Sequence, residues 1–238
     1  MSILDALLPA RDLRVLVTAG AGGVGAAIAR AFHAAGARVH VCDIDRSALD
    51  RLRAEQPAIT ASMADVSLVA DVQTVFDDVE AFLGGLDVLV GNAGIAGPRG
   101  PIETIDSVGW ERAIAVNVHS QFHFARRAVP LLRRSRSAPS LIIAGAVAER
   151  SAELSAADAS RTWAVVGLMR ALAVELGPHG IRVNAILLAS AGPDRPGADS
   201  ARAAMADNAA AVALFLCSPA ARTVTGQTVR LDGSIASR

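Results

Sequence analysis

Residues 13–25 read LRVLVTAGAGGVG, and this stretch decides the fold. Leu13–Thr18 is an apolar run of strand length, and a helical pattern over Gly25–Ala35 follows the glycines. A strand that enters a helix through a glycine-rich turn is the start of a βαβ unit, because the backbone there must turn tightly and approach a ligand closely. The stretch therefore predicts an α/β fold with a parallel sheet.

The rest of the chain repeats this alternation of apolar strand-length runs and longer helical patterns. The predicted strands are Leu13–Thr18, Arg38–Cys42, Ala58–Ser62, Leu86–Val90, Ser140–Ala146, Arg182–Leu187 and Thr228–Leu231. The predicted helices are Gly25–Ala35, Ser47–Glu55, Val69–Leu83, Ile105–Arg134, Leu154–Leu176 and Ala209–Leu216. This order predicts a single-domain, Rossmann-type, doubly wound parallel sheet of about seven strands over residues 1–238, with helices on both faces. Right-handed crossovers would place the ligand-binding loops at the carboxyl edge of that sheet.

Composition excludes several classes of function. The 23 basic residues are balanced by 23 acidic ones, whereas nucleic-acid binding demands a basic face. Cys42 and Cys217 are too few and too isolated for a disulfide framework or a metal site. No apolar run is long enough to span a membrane, and Met1–Arg11 does not resemble a signal peptide. We therefore expect a soluble cytoplasmic protein that binds neither nucleic acid, membrane nor metal.

The glycine-rich turn and an acid downstream together indicate a dinucleotide site. Glycines let pyrophosphate approach the backbone N–H groups at the start of a helix. Asp43 follows about 20 residues later, where an acid accepts hydrogen bonds from the adenosine ribose. Its carboxylate would repel a 2′-phosphate, which favours NAD over NADP. The alternatives are a tight turn without a ligand and a solvated Asp43.

Three stretches resemble the short-chain dehydrogenase/reductase family: Thr18–Gly25 (TAGAGGVG), Asn92–Gly94 (NAG) and Trp163–Asn184 (WAVVGLMRALAVELGPHGIRVN). The resemblance implies hydride transfer with a nicotinamide cofactor. Ala19 replaces the first glycine of the family's motif, and Gly91 replaces the first Asn of its Asn-Asn-Ala-Gly turn. The residues that the glycine motif and the resemblance together place at the cofactor are Thr18, Gly20, Gly23, Val24, Gly25, Asp43, Asp65, Val66, Asn92, Ala93 and Gly94.

The family's proton relay is missing from this sequence. The family uses a Tyr-x-x-x-Lys pair with a serine and an asparagine, but the chain contains no tyrosine and no lysine. Asn117 matches the asparagine, which bends its helix around a water in the family; it could instead be a buried capping residue. The family's serine belongs to a Ser-Ser pair at the end of the fifth strand, and this chain has Gly145-Ala146 there, with Ala146 taken as the serine position. The resemblance therefore implies a degenerate catalytic triad.

Two registers are possible for the missing Tyr-x-x-x-Lys pair. The ungapped helix match places Asp158 and Thr162 at the tyrosine and lysine positions, and we favour it. Counting from the serine position instead gives Ala159 and Trp163. Asp158 is either a substitute acid or an exposed acid that stabilises a helix N-terminus.

The segment before the last helix also departs from the family. Leu188-Ala189 stands where the family has a Pro-Gly against the nicotinamide. About 18 residues, Ser190–Asp207, precede the predicted final helix, and this is a short substrate segment for the family.

Three functions are compatible with these features. The first is a pseudoenzyme subunit that supports an active paralogue in a hetero-oligomer. The second is an atypical NAD(H)-dependent alcohol or ketone oxidoreductase, in which Asp158 or the substrate supplies the proton. The third is a non-redox lyase or cyclase that reuses the pocket for a small-molecule substrate. Apolar helices around Asn117 and over Thr162–Leu176 predict a homo- or hetero-oligomer, as a dimer or a tetramer.

Overall fold

Seven parallel strands form one sheet in the computed structural model, which describes residues 3–146, 155–188 and 198–231. The strands are β1 (Arg14–Thr18), β2 (Arg38–Asp43), β3 (Thr60–Met63), β4 (Val88–Gly91), β5 (Ser140–Ala146), β6 (Arg182–Leu188) and β7 (Thr228–Leu231). Their order is β3-β2-β1-β4-β5-β6-β7, so the direction of winding reverses between β1 and β4. Ligands of open α/β sheets bind at such a switch point, outside the carboxyl ends of the strands.

Helices connect the strands. They are α1 (Ile3–Ala6), α2 (Gly23–Ala34), α3 (Arg46–Glu55), α4 (Val69–Leu83), α5 (Ser107–Ile114), α6 (Ser120–Arg133), α7 (Ala156–Leu176) and α8 (Ala198–Leu216). A π-helix, Ala115–His119, joins α5 to α6, and short 3₁₀ turns lie at Ile102–Thr104, Gly177–His179 and Pro219–Ala221.

Two apolar layers cover the two faces of the sheet. Neighbouring strand residues point to opposite sides: Leu16 packs in the layer formed with α4, α6 and α7, whereas Val15 and Val17 pack in the layer formed with α2, α3 and α8. The strands are apolar on both faces, as expected for a parallel sheet between helices. The predicted doubly wound, seven-stranded architecture is confirmed; the extent of a single domain over residues 1–238 stays a prediction.

Two predicted helices were wrong in extent. The continuous helix predicted over Ile105–Arg134 is interrupted by the π-helix Ala115–His119, and within it the Asn117 side chain donates to the backbone carbonyls of Ala113 and Ile95. The last helix begins at Ala198 instead of Ala209. Its first turns are rich in alanine and largely exposed, so they show no clear apolar periodicity, although Ala, Arg and Met favour helix. The segment from 189 to 197, before this helix, lies outside the described residues.

The other boundaries differ by a few residues. Val69–Leu83, Ser140–Ala146 and Thr228–Leu231 match their predictions, while β3 and β4 lie one or two residues later than predicted. Within the described ranges, no helix is long and apolar enough to cross a membrane, and no cluster of three His, Cys, Asp or Glu residues could hold a metal ion.

Candidate active site

The switch point is held together by reciprocal hydrogen bonds between the ends of β1 and β4. The Thr18 hydroxyl accepts from the backbone N–H groups of Asn92 and Ala93, each at 2.9 Å. The Asn92 side chain donates back to the carbonyl oxygens of Thr18 and Ala19, each at 3.1 Å. Thr18 is buried, so its hydroxyl stabilises the turn from the protein interior. Both predicted site residues therefore lie at the switch point.

The glycine-rich turn depends on close backbone approach at two positions. A Cβ on Gly25 would fall 2.0 Å from the carbonyl oxygen of Ala19, and one on Gly20 would fall 2.7 Å from Val41 Cβ. Gly23, at φ +50°, begins α2, and a Cβ there would meet nothing within 4 Å. Because Gly22 at the N-cap has no side chain, the first N–H groups of α2 remain available to an anion. The turn therefore has the form of a pyrophosphate cradle.

Ala19 departs from the family's glycine without changing the turn. Its φ is +48°, in the left-handed region where a Cβ costs free energy. A glycine would adopt this conformation at a lower cost in free energy than Ala19 does.

Asp43 lies beside the glycine-rich turn, as predicted. One carboxylate oxygen accepts from Ala21 N–H and the other from Asp45 N–H, each at 3.1 Å. The next residue, Ile44, and Met63 at the end of β3 have exposed apolar side chains. A carboxylate flanked by exposed apolar side chains suits the ribose and adenine of a dinucleotide.

Asp65 and Val66, which are also predicted to lie at the cofactor, follow β3. The Asp65 carboxylate accepts from the backbone N–H and the hydroxyl of Ser67, at 2.9 and 2.7 Å, and so shapes the turn. Val66 is buried at 8% exposure. The structure therefore gives Asp65 a local structural role and leaves a cofactor contact as a prediction.

A cavity of about 270 Å³ opens beside the switch point, at the carboxyl ends of β4, β5 and β6. Its lining residues are Asn92, Ala93, Gly94, Ile95, Ala96, Asn117, Ala144, Gly145, Arg161, Thr162, Val165 and Leu188. The cavity therefore brings together predicted cofactor residues and predicted catalytic positions.

Asn117 joins the cavity wall to the π-helix. Its side-chain N–H groups donate to the carbonyl oxygens of Ala113, at 2.7 Å, and of Ile95, at 3.0 Å, and its carbonyl accepts from Ile95 N–H at 3.1 Å. A Cβ on Gly94 would fall 2.7 Å from the same carbonyl oxygen, so this contact requires glycine. Asn117 is both buried and located where the helix is irregular, and π-turns of this kind are frequent at functional sites.

Asp158 is held in an ion pair with Arg161. Ser155 caps α7 by accepting from Asp158 N–H at 3.0 Å, and the Asp158 carboxylate lies 2.8 Å from the Arg161 guanidinium. The same carboxylate oxygen also accepts from Gly97 N–H at 3.3 Å. Asp158 is not among the described residues that line the cavity, whereas Arg161 is. In this structure the Asp158 carboxylate therefore accepts hydrogen bonds from Arg161 and Gly97, and its role as a substitute acid stays a prediction.

Thr162, rather than Trp163, faces the cavity. Thr162 is buried and lines it, with its hydroxyl donating to the carbonyl of Asp158 at 2.9 Å, while Trp163 is 54% exposed. Of the two candidates for the lysine position, Thr162 is therefore the one that lines the cavity, and the register itself stays a prediction. Ala159, which stands at the tyrosine position in the other register, is partly buried next to Asp158.

The end of β5 contributes no hydroxyl to the cavity. Gly145 lines it, and Ala146 is the last residue of the strand, paired with Leu188 of β6. Among the described lining residues, Thr162 carries the only hydroxyl group and Arg161 carries the only charged group.

Arg161 is the site residue that sequence reasoning missed. The available signal was an arginine one residue before the lysine position and one helical turn after Asp158. The family's pattern directs attention to the lysine position itself, and so this neighbouring cation was overlooked.

Comparisons with known proteins agree with this geometry. A family model described as Enoyl-(Acyl carrier protein) reductase matches residues 19–201. The chain is 30% identical to a tropinone reductase homolog of Arabidopsis thaliana, over 94% of this chain and 93% of that protein. It is 34% identical to galactitol 2-dehydrogenase (L-tagatose-forming) of Cereibacter sphaeroides, over 91% and 92% of the two chains. The crystal structure of gox2181 superposes with a TM-score of 0.85 at 26% identity, over 99% of both chains.

The chain belongs to the short-chain dehydrogenase/reductase family of oxidoreductases. The resemblance seen in its glycine-rich turn, its Asn-Ala-Gly turn and its α7 stretch is thereby confirmed, and membership implies an NAD(P) cofactor.

Proposed function

We propose that this chain binds NAD(H), lacks the family's proton relay, and serves as a pseudoenzyme subunit that supports an active paralogue in a hetero-oligomer. The observation that carries the proposal is the cavity beside the glycine-rich turn. Gly145-Ala146 stands where the family has its Ser-Ser pair, and Asp158 and Thr162 stand at the tyrosine and lysine positions. The Thr162 hydroxyl already donates to a backbone carbonyl.

The preference for NAD follows from Asp43. Its carboxylate borders the turn that would hold the pyrophosphate, where a 2′-phosphate would meet a negative charge. Residues 20–24 contain no arginine, and the nearby Arg46 side chain begins α3 at an exposed position. NAD(H) is therefore the expected cofactor.

Loss of the relay lowers the expected rate on an alcohol or ketone. Positioned acid–base catalysis contributes about 10²–10⁴-fold, and an oxyanion donor contributes roughly another 10²–10³-fold. The glycine-rich turn and Asp43, which would hold the pyrophosphate and the ribose, do not include these groups. The chain can therefore keep the cofactor site while having little turnover of its own.

The assembly part of the proposal is supported by the outer face of α7. Trp163 is 54% exposed and Val174 is 80% exposed, and their spacing of eleven residues places them on one side of the helix. Small residues at Ala164, Gly167 and Ala171 lie exposed between them. Such a face suits close packing against another subunit.

A second candidate is an atypical oxidoreductase, which the Asp158–Arg161 pair favours. Arg161 supplies a permanent cation one position before the missing lysine, and it lines the cavity. It could stabilise a developing oxyanion, with Asp158 or the substrate supplying the proton. Polyols such as galactitol, the substrate that names one relative, are reasonable first substrates for this candidate.

Calorimetry and steady-state kinetics separate these proposals. We expect NADH to bind more tightly than NADPH, turnover of the isolated chain to stay near background, and the activity of a coexpressed intact paralogue to increase. A rate comparable to that of active family members would refute the pseudoenzyme proposal. Loss of such a rate in Arg161→Gln or Asp158→Asn would then establish the second candidate.

A further inference from the structure

Arg161 brings a positive charge into a cavity whose other described lining residues are uncharged. Its side chain is 13% exposed, so the guanidinium is largely removed from solvent. A sequestered arginine usually has its N–H groups occupied by acceptors.

The guanidinium is held mainly along one edge. Its Nε and Nη2 atoms lie 2.9 and 2.8 Å from the same Asp158 oxygen, while Nη1 donates to the Asn117 carbonyl at a longer 3.3 Å. Arginine has five N–H donors, and two of them find no acceptor among the described residues. The Asn117 carbonyl already accepts from Ile95 N–H, so its hold on Nη1 is weak. A carboxylate could therefore bind in a bidentate manner along the Nη1–Nη2 edge.

The remaining cavity wall is apolar. Ile95, Ala144, Val165 and Leu188 contribute hydrocarbon surface to a space of about 270 Å³. We propose that this cavity binds a small monocarboxylate with an apolar body, with its carboxylate on Arg161. The inference rests on the proposed function only in taking this cavity as the ligand site, and it does not depend on cofactor affinity.

Benzoate and its uncharged analogue benzamide test the proposal by calorimetry, with and without NAD⁺. We expect benzoate to bind about tenfold more tightly than benzamide, since a charge-assisted hydrogen bond contributes at least that much. Arg161→Gln should remove the difference. Arg170→Gln, at an exposed position on the same helix, is the matched control and should retain it. Equal binding of the two compounds to the unaltered chain would overturn the proposal.

Asp158→Asn provides a second test, because its expected result is tighter benzoate binding, which unfolding of the variant could not produce. The substitution removes the carboxylate that competes for Arg161 while keeping a hydrogen-bond acceptor, so benzoate affinity should rise. Unchanged or weaker benzoate binding would contradict the proposal. If Arg161→Gln does not fold by circular dichroism, Asp158→Asn and Arg161→Lys carry the test, and the lysine variant should bind benzoate more weakly than the unaltered chain.

NAD⁺ titration of the same variants separates this inference from the proposed function. Arg161→Gln should leave NAD⁺ affinity unchanged. If it instead abolishes NAD⁺ binding and leaves benzoate binding intact, Arg161 anchors the cofactor and the proposal is wrong. Selective benzoate binding by a chain that binds no dinucleotide would support this inference and contradict the proposed function.

Discussion

The Asp43 carboxylate accepts a hydrogen bond from the backbone N–H of Ala21 at 3.1 Å, which links the end of β2 to the glycine-rich turn after β1. Ala21 follows β1 and Asp43 ends β2, and these adjacent parallel strands pair Thr18 with Cys42. Asp43 is partly exposed, so its carboxylate can accept further hydrogen bonds from a bound ribose. The same contact therefore shapes the turn and orients the acid that we propose selects NAD over NADP.

Asp43→Asn should weaken NAD⁺ binding by roughly tenfold to a hundredfold, because hydrogen bonds to a charged acceptor contribute about 1.5–3 kcal/mol. The preference for NAD⁺ over NADP⁺ should also fall, because the charge that repels the 2′-phosphate is gone. Calorimetry with both cofactors measures the ratio, with Asp50→Asn on the exposed side of α3 as the control. An unchanged ratio would remove Asp43 from the cofactor site.

Rebuilding the relay should restore chemistry. The triple variant Gly145→Ser, Asp158→Tyr, Thr162→Lys should oxidise secondary alcohols about 10²–10⁴-fold faster than the unaltered chain. A Cβ at Gly145 would lie 3.2 Å from a terminal methyl of Leu187, which a side-chain shift can relieve. The control replaces the tyrosine with Asp158→Phe, which lacks the phenol hydroxyl. Equal rates in the two variants would show that the cavity does not position a substrate for the family's reaction.

Val174→Glu should weaken self-association by about tenfold or more, because an unpaired carboxylate is costly to bury in an apolar interface. Val174 is 80% exposed on the outer face of α7. Light scattering across a dilution series measures the change, with Val69→Glu, at 57% exposure on α4, as the control. If both variants and the unaltered chain are monomers, the predicted oligomer is wrong.

His40 should make stability depend on pH between about 4 and 6.5. Burial lowers its pKa from 6.5 to about 4; its ring bonds to the hydroxyls of Thr60 and Ser62 and stacks on Phe82. Below pH 6.5 the unfolded chain takes up a proton that the folded chain excludes, so stability is complete above that value and declines as pH falls.

Urea unfolding of the chain at pH 7.5 and pH 5 should show a loss of roughly 2 kcal/mol from this histidine. His40→Gln should reduce the pH dependence by that amount, whereas His179→Gln, at an exposed turn, should retain it. If the free energy of unfolding depends on pH equally in His40→Gln and His179→Gln, His40 is not the group that causes this pH dependence.

Asp87 should contribute stability in a lower pH range. Burial raises its pKa, but hydrogen bonds from Arg14 and Ser135 outweigh that effect and the pKa is lowered. A lowered carboxyl pKa gives stability that is complete above the unfolded value of about 3.9 and is lost as pH falls through the folded value.

Asp87→Asn should lower the free energy of unfolding at pH 7 by about 3 kcal/mol, because it breaks a mostly buried ion pair whose charges lie 2.7 Å apart. The difference in the free energy of unfolding between Asp87→Asn and the unaltered chain should narrow below about pH 4. Asp50→Asn, which breaks an exposed pair, should cost less than about 1 kcal/mol. Equal losses in the two variants would contradict this assignment.

Several features of the fold and site were predictable from local sequence. Strand-length apolar runs and glycine positions indicate a doubly wound sheet, because burial between helices and tight turns constrain residues near each other in the chain. The absence of tyrosine and lysine can likewise be read from the sequence without any coordinates. The π-helix could not be seen, because it depends on Asn117 bonding to Ile95, which lies far away in sequence.

By itself, the sequence determined the α/β class, the glycine-rich turn with Asp43, and the missing catalytic side chains, since all of these depend on which residues are present and how they are spaced. The tertiary structure alone decided that Thr162 rather than Trp163 faces the cavity, and that Arg161 reaches it while paired with Asp158. One residue along a helix rotates a side chain by about 100°, so packing against β5 and the π-helix, and not spacing, selects which side chains meet the ligand.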